Sequence, residues 1–371
     1  MLYLNHDINT IFIMLGQKCN LSCKYCMQHS LIEIIQPQTS INDDILEFIT
    51  NQADKQVGKP IDIRFYGGEP LLYFKDIKYI VQKLQNINVD FSIITNGKLL
   101  SQDIVDFFNL NTFKSVAISW DGTCSNRTRL YDVFEHKKEL IMQINNLCID
   151  RVLSAYNYLE DFVEILLPYQ EEYCNLHHQT FSFTEEEIIN FGIGNKTLTD
   201  FDYQKFTFQV QSVIKNIVNA LTKENDKRIL KDYMYISLFN IYCHRMQDDL
   251  SKCKESYCGN GIITLNLDLE GTLYQCHNNW IKIGTIYDDY NTYIAKAKEL
   301  DNMATKNFVD SNCKDCSVLP LCKGGCPLVS NKIRQSTDFC KIRQTLFEPI
   351  INFINDALSV HGDFNKLKGK Y

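Results

Sequence analysis

The chain has 371 residues, room for two or three domains of ordinary size, and its 45% hydrophobic residues, 22% charged residues and 12% aromatics belong to a folded protein and exclude a disordered one. Thirty-eight basic against 45 acidic side chains leave a net charge of −7, which excludes a protein that holds nucleic acid or an anionic membrane through a broad basic surface. The first ten residues lack the features of a signal peptide and no stretch approaches the roughly 18 uninterrupted apolar residues of a membrane span, so the chain reads as cytoplasmic. In that compartment its 15 cysteines stay reduced and serve iron or zinc rather than disulfides.

In chain order, Ile11 to Leu15 is a short apolar run with β-branched residues, and similar runs at Ile61 to Tyr66, Phe91 to Thr95 and Ser115 to Ile118 predict buried strands. Helical patterns lie between them at Asp43 to Gln52, Phe74 to Leu84 and Ser101 to Phe108, and another follows at Lys137 to Cys148. This alternation implies an α/β fold with a parallel sheet of right-handed βαβ units, a barrel or partial barrel. The last strands of the sheet are expected within Arg151 to Ser182. A polar stretch, Glu171 to Thr199, comes next, then two longer helices over Asp200 to Leu221 and Ile229 to Asp249. Beyond Cys253, Gly261 to Leu269 and Gly271 to Cys276 read as a hairpin turning at Glu270-Gly271. The cysteine-rich loops after it are too short to bury a large apolar core without metal.

The strand ends carry the chemistry. Gly16-Gln17-Lys18-Cys19 follows the first strand, Gly67-Gly68-Glu69-Pro70 the second, Asn96-Gly97 the third and Asp121-Gly122 the fourth. Any one of these is an ordinary turn. Barrel active sites gather at the C-terminal ends of strands, so four such ends together with three cysteines point to one shared site.

Cys124, Cys148, Cys174 and Cys243 stand singly among apolar neighbours and read as core residues. The other 11 fall into two groups. Cys19, Cys23 and Cys26 lie on one short loop, and three thiolates can hold three irons of a cubane cluster while the fourth iron stays open for a small ligand. A structural zinc would need a fourth protein ligand, for which His29 is a loose candidate. The second group is Cys253, Cys258, Cys276, Cys313, Cys316, Cys322, Cys326 and Cys340, eight thiolates that make two sets of four, for two clusters or two zinc ions.

The pattern CxxxCxxC with Tyr25 before its third cysteine, followed about forty residues later by Gly67-Gly68-Glu69-Pro70, resembles the radical S-adenosylmethionine enzymes, with recognisable motifs from Thr10 to Trp120. The resemblance implies a partial (β/α)6 barrel in which Cys19, Cys23 and Cys26 ligate a four-iron, four-sulfur cluster. The open iron of that cluster takes the amino and carboxylate groups of S-adenosylmethionine. It implies that Gly67, Gly68 and Glu69 bind the methionine amino group, that Asn96 and Ser119 hold the ribose or carboxylate, and that Tyr25 lies near the adenine. The reaction implied is reductive cleavage to a 5′-deoxyadenosyl radical, which abstracts a hydrogen atom from the substrate.

From Cys258 onward the chain resembles the SPASM extension of peptide-modifying and protein-modifying radical enzymes. That resemblance divides the chain into a radical SAM barrel at 1–250, with an uncertain helical segment at 161–250, a SPASM domain at 251–345 and a C-terminal helix and tail at 346–371. It also implies the ligand sets: Cys253, Cys258, Cys276 and Cys326 for an inner auxiliary cluster, and Cys313, Cys316, Cys322 and Cys340 for an outer one, three 4Fe–4S clusters in all. The substrate implied is a ribosomally made peptide, oxidised and crosslinked by a carbon–carbon or thioether bond, with a flavodoxin or ferredoxin as reductant.

Sulfatase maturation to formylglycine is the alternative. It leads one to expect Asp directly after the cysteine equivalent to Cys276, where this chain has His277, a candidate base or a satisfied structural imidazole. A relay of three clusters is an alternative of another class, against which the open first cluster argues. Only 18 residues precede Cys19, too few for a winged-helix leader-binding domain. Leader recognition is therefore expected from a separate protein or from a surface of this chain.

Overall fold

The computed structural model describes residues 2, 4, 6–26, 41–186 apart from 57, 112, 155, 156 and 159, 202–243, 261–309, 312–325 apart from 323, and 337–361. His29, Cys253, Cys258 and Cys326 lie outside the described residues, as does part of the stretch from Glu171 to Thr199.

Among the described residues nine strands form one sheet in the order β6-β5-β4-β3-β2-β1-β7-β8-β9. The first six, β1 (Thr10–Met14), β2 (Ile61–Tyr66), β3 (Val89–Thr95), β4 (Ser115–Ser119), β5 (Leu147–Val152) and β6 (Ser182–Glu186), are parallel and paired in sequence order. The helices between and after them are α1 (Asp43–Ala53), α2 (Phe74–Leu84), α3 (Gln102–Leu110), α4 (Val133–Ile141), α5 (Phe162–His177), α6 (Tyr203–Thr222) and α7 (Leu230–Cys243). This is the open, parallel α/β arrangement expected, a partial barrel that does not close. No helix among the described residues is long and apolar enough to cross a membrane.

Local sequence explains the helix starts. Asn42, Asp132, Asp161 and Asp202 each accept a hydrogen bond from a backbone N–H of the first turn they precede, satisfying donors the helix itself cannot. Each helix then turns an apolar stripe inward; α1 buries Ile45, Leu46, Phe48 and Ile49. The strands contribute alternate residues to the same core: Ile11 and Ile13, Ile63 and Phe65, Val116 and Ile118, Leu147 and Ile149 are all buried within it.

The opposite face of the sheet is different. There Phe12 pairs with Arg64 and Arg64 with Ser92, while Ser119 pairs with Asp150 and Asp150 with Thr184. None of these belongs to the main apolar core.

Three local expectations need correction. The helix read over Lys137 to Cys148 is α4 ending at Ile141, and Cys148 sits in β5. Ile141, Ile144 and Cys148 mimic helical spacing, but the run from Leu147 pairs in register with β4. The last strands lie at the edges of the window Arg151 to Ser182, because α5 fills most of it. The hairpin after residue 261 does not stand apart from the sheet: β7 (Thr264–Asp268) pairs in parallel with β1, and β8 (Thr272–Cys276) and β9 (Asn279–Thr285) continue it antiparallel. Its turn is built as the sequence suggests, with Gly271 at φ 86° and the Asp268 carboxylate accepting from the backbone N–H of Glu270 and Thr272 at 2.9 and 2.8 Å. Two further helices follow, α8 (Tyr290–Val309) before Cys313, Cys316 and Cys322 and α9 (Thr337–His361), which carries Cys340.

Candidate active site

The ends of β1 and β2 are laced together by backbone. Leu15 N–H donates to the Tyr66 carbonyl at 2.9 Å, Gly68 N–H to Gly16 O at 2.8 Å and Glu69 N–H to Lys18 O at 2.9 Å. The approach is so close that a Cβ on Gly67 would stand 2.3 Å from Gly16 O, and one on Gly68 2.3 Å from Gln17 O and 2.4 Å from Lys18 O. Two adjacent glycines are needed there because only a backbone without side chains can lie against the start of the cysteine loop.

Glu69 is 1% exposed. Its carboxylate accepts from Leu71 N–H at 3.0 Å, Thr95 Oγ1–H at 2.5 Å and Asn96 N–H at 2.9 Å, tying the end of β2 to the end of β3. Burial pushes the carboxyl above its ordinary pKa, and these donors oppose the shift. Asn96 passes the connection on: its Nδ2 donates to Asn20 Oδ1 at 2.8 Å and lies 3.8 Å from Cys19 Sγ.

The other end of the loop is held from β4. Lys24 N–H donates to Thr128 O at 2.9 Å, and the Tyr25 hydroxyl donates to Asp121 Oδ2 at 2.5 Å. Asp121, fully buried, also accepts from the Thr128 hydroxyl at 2.6 Å and pairs with Arg129 at 3.2 Å. Ser119, half-buried, ends β4 two residues earlier.

The structure thus brings Cys19, Cys23, Cys26, Tyr25, Gly67, Gly68, Glu69 and Asn96 to one corner. Burial raises the pKa of Cys19, with the charges of Glu69 and Cys26 adding, and burial pushes Cys23 up to about 11, with the charges of Cys26 and Cys19 adding. Three mutually repelling thiols are a poor arrangement for free thiolates and a good one for a polycation that replaces their protons. Among the described residues no three Cys, His, Asp or Glu side chains converge as tightly as a single metal ion requires. Three thiols without a fourth described ligand fit a cubane, in which each thiolate binds its own iron and one iron stays open, better than a mononuclear zinc, which wants four ligands.

The concave face beside this corner is polar. Arg64 pairs with Asp62 at 2.6 Å, Ser92 donates to Asp62 at 2.6 Å, and Thr184 donates to Asp150 at 2.5 Å. His277 stacks on Phe12, ring centroids 4.2 Å apart, and meets the edge of Tyr66 at 4.7 Å. Burial, with the Arg64 charge adding, pushes its pKa down to about 3, so the imidazole is neutral. The Tyr66 hydroxyl donates to Asn278 Oδ1 at 2.8 Å, and Asn278 N–H lies 3.4 Å from Cys276 Sγ, so the residue before Gly67 touches the loop after Cys276.

Farther along, Cys313, Cys316, Cys322 and Cys340 come together: burial and the charges of the other three raise the Cys340 thiol. Arg343 and Gln344 of α9 reach Cys322 Sγ and Cys316 Sγ at 3.7 and 3.9 Å. Cys276, buried at the end of β8, is the described member of the inner set. Sequence reasoning missed Arg64, Arg129 and Asp150, and counted Asp121 among the strand ends of the shared site without giving it a role. No spacing marks them, because each is recognised only by what another strand brings to it.

Residues 13–167 match the radical SAM superfamily. A radical SAM cyclopropyl synthase from Paramaledivibacter caminithermalis is 22% identical over 86% of this chain and 68% of its own length. A cysteine-type anaerobic sulfatase-maturating enzyme from Clostridium novyi is 26% identical over 91% of this chain and 93% of its own. Among solved structures, native anSMEcpe with bound AdoMet and Cp18Cys peptide superposes with a TM-score of 0.65 over 95% of this chain and all of that one, at 19% identity.

Proposed function

We propose that this chain, whose residues 13–167 match the radical SAM superfamily, abstracts a hydrogen atom from a ribosomally made peptide, leaving an oxidised and crosslinked residue joined by a carbon–carbon or thioether bond. The observation that carries the chemistry is the loop of Cys19, Cys23 and Cys26 zipped to Gly67-Gly68-Glu69 at the strand ends. When bound, the iron–sulfur cluster and S-adenosylmethionine supply the 5′-deoxyadenosyl radical. The rest is the work of the chain.

The backbone edge at Gly67 and Gly68 receives the methionine amino group. Glu69, with three donors already on its carboxylate, has acceptor capacity for a further N–H. Asn96 and Ser119 serve the ribose or carboxylate, and Tyr25, clamped by Asp121, forms the floor near the adenine. The polar row of Arg64, Asp62, Ser92, Asp150 and Thr184 suits a peptide, whose amides need donors and acceptors once taken out of water. His277, held neutral between Phe12 and Tyr66, can accept a proton only as free imidazole.

The second group of cysteines would hold two auxiliary clusters, which would supply acceptors for the electron left after hydrogen abstraction, with a flavodoxin or ferredoxin as the reductant of the cluster on Cys19, Cys23 and Cys26. The anSMEcpe structure, which carries a peptide, supports the substrate class. A second reading, formylglycine formation in a sulfatase, is favoured by the full-length likeness to the Clostridium novyi enzyme.

One experiment separates the readings. Anaerobic protein with S-adenosylmethionine and dithionite is offered short peptides encoded beside its gene and, in parallel, a peptide with a sulfatase motif. A loss of two mass units per crosslink in the former supports the proposal. An aldehyde in the latter with every neighbouring peptide unchanged replaces it, and no 5′-deoxyadenosine at all would leave an electron-transfer protein.

A further inference from the structure

Arg129 is buried to 8% exposure within a few ångströms of the cysteine loop, and no motif singles it out. Its guanidinium lies 5.4 Å from the centroid of the Tyr25 ring and pairs with Asp121 through Nε at 3.2 Å. The residue before it, Thr128, grips the loop twice, by its carbonyl on Lys24 N–H and by its hydroxyl on the carboxylate that also holds Tyr25. The charged and titratable groups that Arg129 faces are Asp121, Tyr25, Cys23 and Asp150.

Tyr25 lies between two cysteines of the loop, so whatever fixes the ring fixes them. An arginine stays protonated throughout the accessible pH range, which makes this a permanent buried charge in a region of low dielectric. Asp121 is its counterion, and the two act on the loop with opposite signs.

We propose that Arg129 and Asp121 form a charge clasp that sets the reduction potential of the cluster on Cys19, Cys23 and Cys26, with Arg129 raising it and Asp121 lowering it. The inference rests on the assignment of that cluster under the proposed function. A cation beside the Cys23 thiolate stabilises the extra electron of the reduced cluster, and removing it makes the cluster harder to reduce. Removing Asp121 instead leaves the cation uncompensated and makes reduction easier. A purely structural role for the pair has no reason to produce opposite signs, since breaking either side would loosen the same loop.

The test is a redox titration of the anaerobically reconstituted full-length protein, following the paramagnetic signal that changes when S-adenosylmethionine is added. Arg129→Gln should lower the ratio of reduced to oxidised cluster about tenfold at a fixed potential near the midpoint, which for a one-electron couple is a shift of about 59 mV to the negative side. Asp121→Asn should shift the midpoint to the positive side, and Arg129→Lys, which keeps the charge, should stay close to wild type. Wild-type protein with no signal responsive to S-adenosylmethionine would remove the cluster assignment and this inference with it. A responsive signal whose midpoint moves in neither variant, or moves the same way in both, overturns the clasp alone. Where Arg129→Gln does not assemble its cluster, Asp121→Asn and Arg129→Lys decide: an unmoved or more negative midpoint in the former, or a large negative shift in the latter, overturns the proposal.

Discussion

The two cysteine-bearing regions are held in different ways. Around Cys19, Cys23 and Cys26 nearly every fastening comes from the sheet: backbone from the end of β2, Asn96 from the end of β3, Asp121 from the end of β4. Around Cys313, Cys316, Cys322 and Cys340 the described fastenings are the short turns that carry the cysteines and two side chains of α9. A few apolar residues, Val318, Leu321 and Phe339, are buried there. The contrast teaches that the first site is shaped by the strand ends of the sheet, whereas the described part of the second is shaped by short turns and one helix, and it leads one to expect that the second leans more on what its thiols bind.

Four expected outcomes break or sharpen that contrast. The largest concerns iron: reconstituted protein should hold about twelve irons, and replacing Cys19, Cys23 and Cys26 together by Ala should remove about four. Formation of 5′-deoxyadenosine should stop completely, while the far-ultraviolet circular dichroism stays that of the wild type. Zinc at the C-terminal cysteines with four irons in the whole protein would dissolve the assignment of the second region.

Next, removal of the metal by a chelator under reducing conditions should raise amide exchange strongly in residues 312–322 and 337–345 and little in β1 to β4. Equal deprotection of both regions would show that the first site is no better preorganised than the second.

A smaller effect is expected from Gly68→Ala, whose methyl would stand 2.3 and 2.4 Å from two carbonyl oxygens that cannot move without parting the loop from β2. Destabilisation of about 1–3 kcal/mol and weaker S-adenosylmethionine binding should follow, measured by denaturant unfolding and by titration of the cluster spectrum. A fully stable variant with native affinity would mean that the two strand ends need not touch.

The mildest is Glu69→Gln. The amide keeps one acceptor oxygen but turns a donor toward Thr95 or Asn96, so S-adenosylmethionine binding should weaken by roughly 1–3 kcal/mol with iron content intact. Unchanged affinity would take the methionine amino group away from this residue.

The sequence by itself determined β1 to β4, the helices α1 to α3 within a residue or two, the cysteine loop and the glycines that lie against it. These are legible because they depend on local rules: apolar runs of strand length, helical periodicity behind a cap, and thiols at fixed spacing. Only the tertiary structure decided the rest. The start of β5 was hidden because Ile141, Ile144 and Cys148 imitate a helix, and because its Arg151, fully buried, is acceptable in a core only beside Glu185 at 3.3 Å on the next strand. The place of the hairpin was equally hidden, since β7 shows its partner β1 only through backbone hydrogen bonds, which no side-chain pattern records. Arg129 and Asp121 complete the list: a buried charge pair can stand only where two segments bring both members together, and that meeting is a property of the fold, not of either segment.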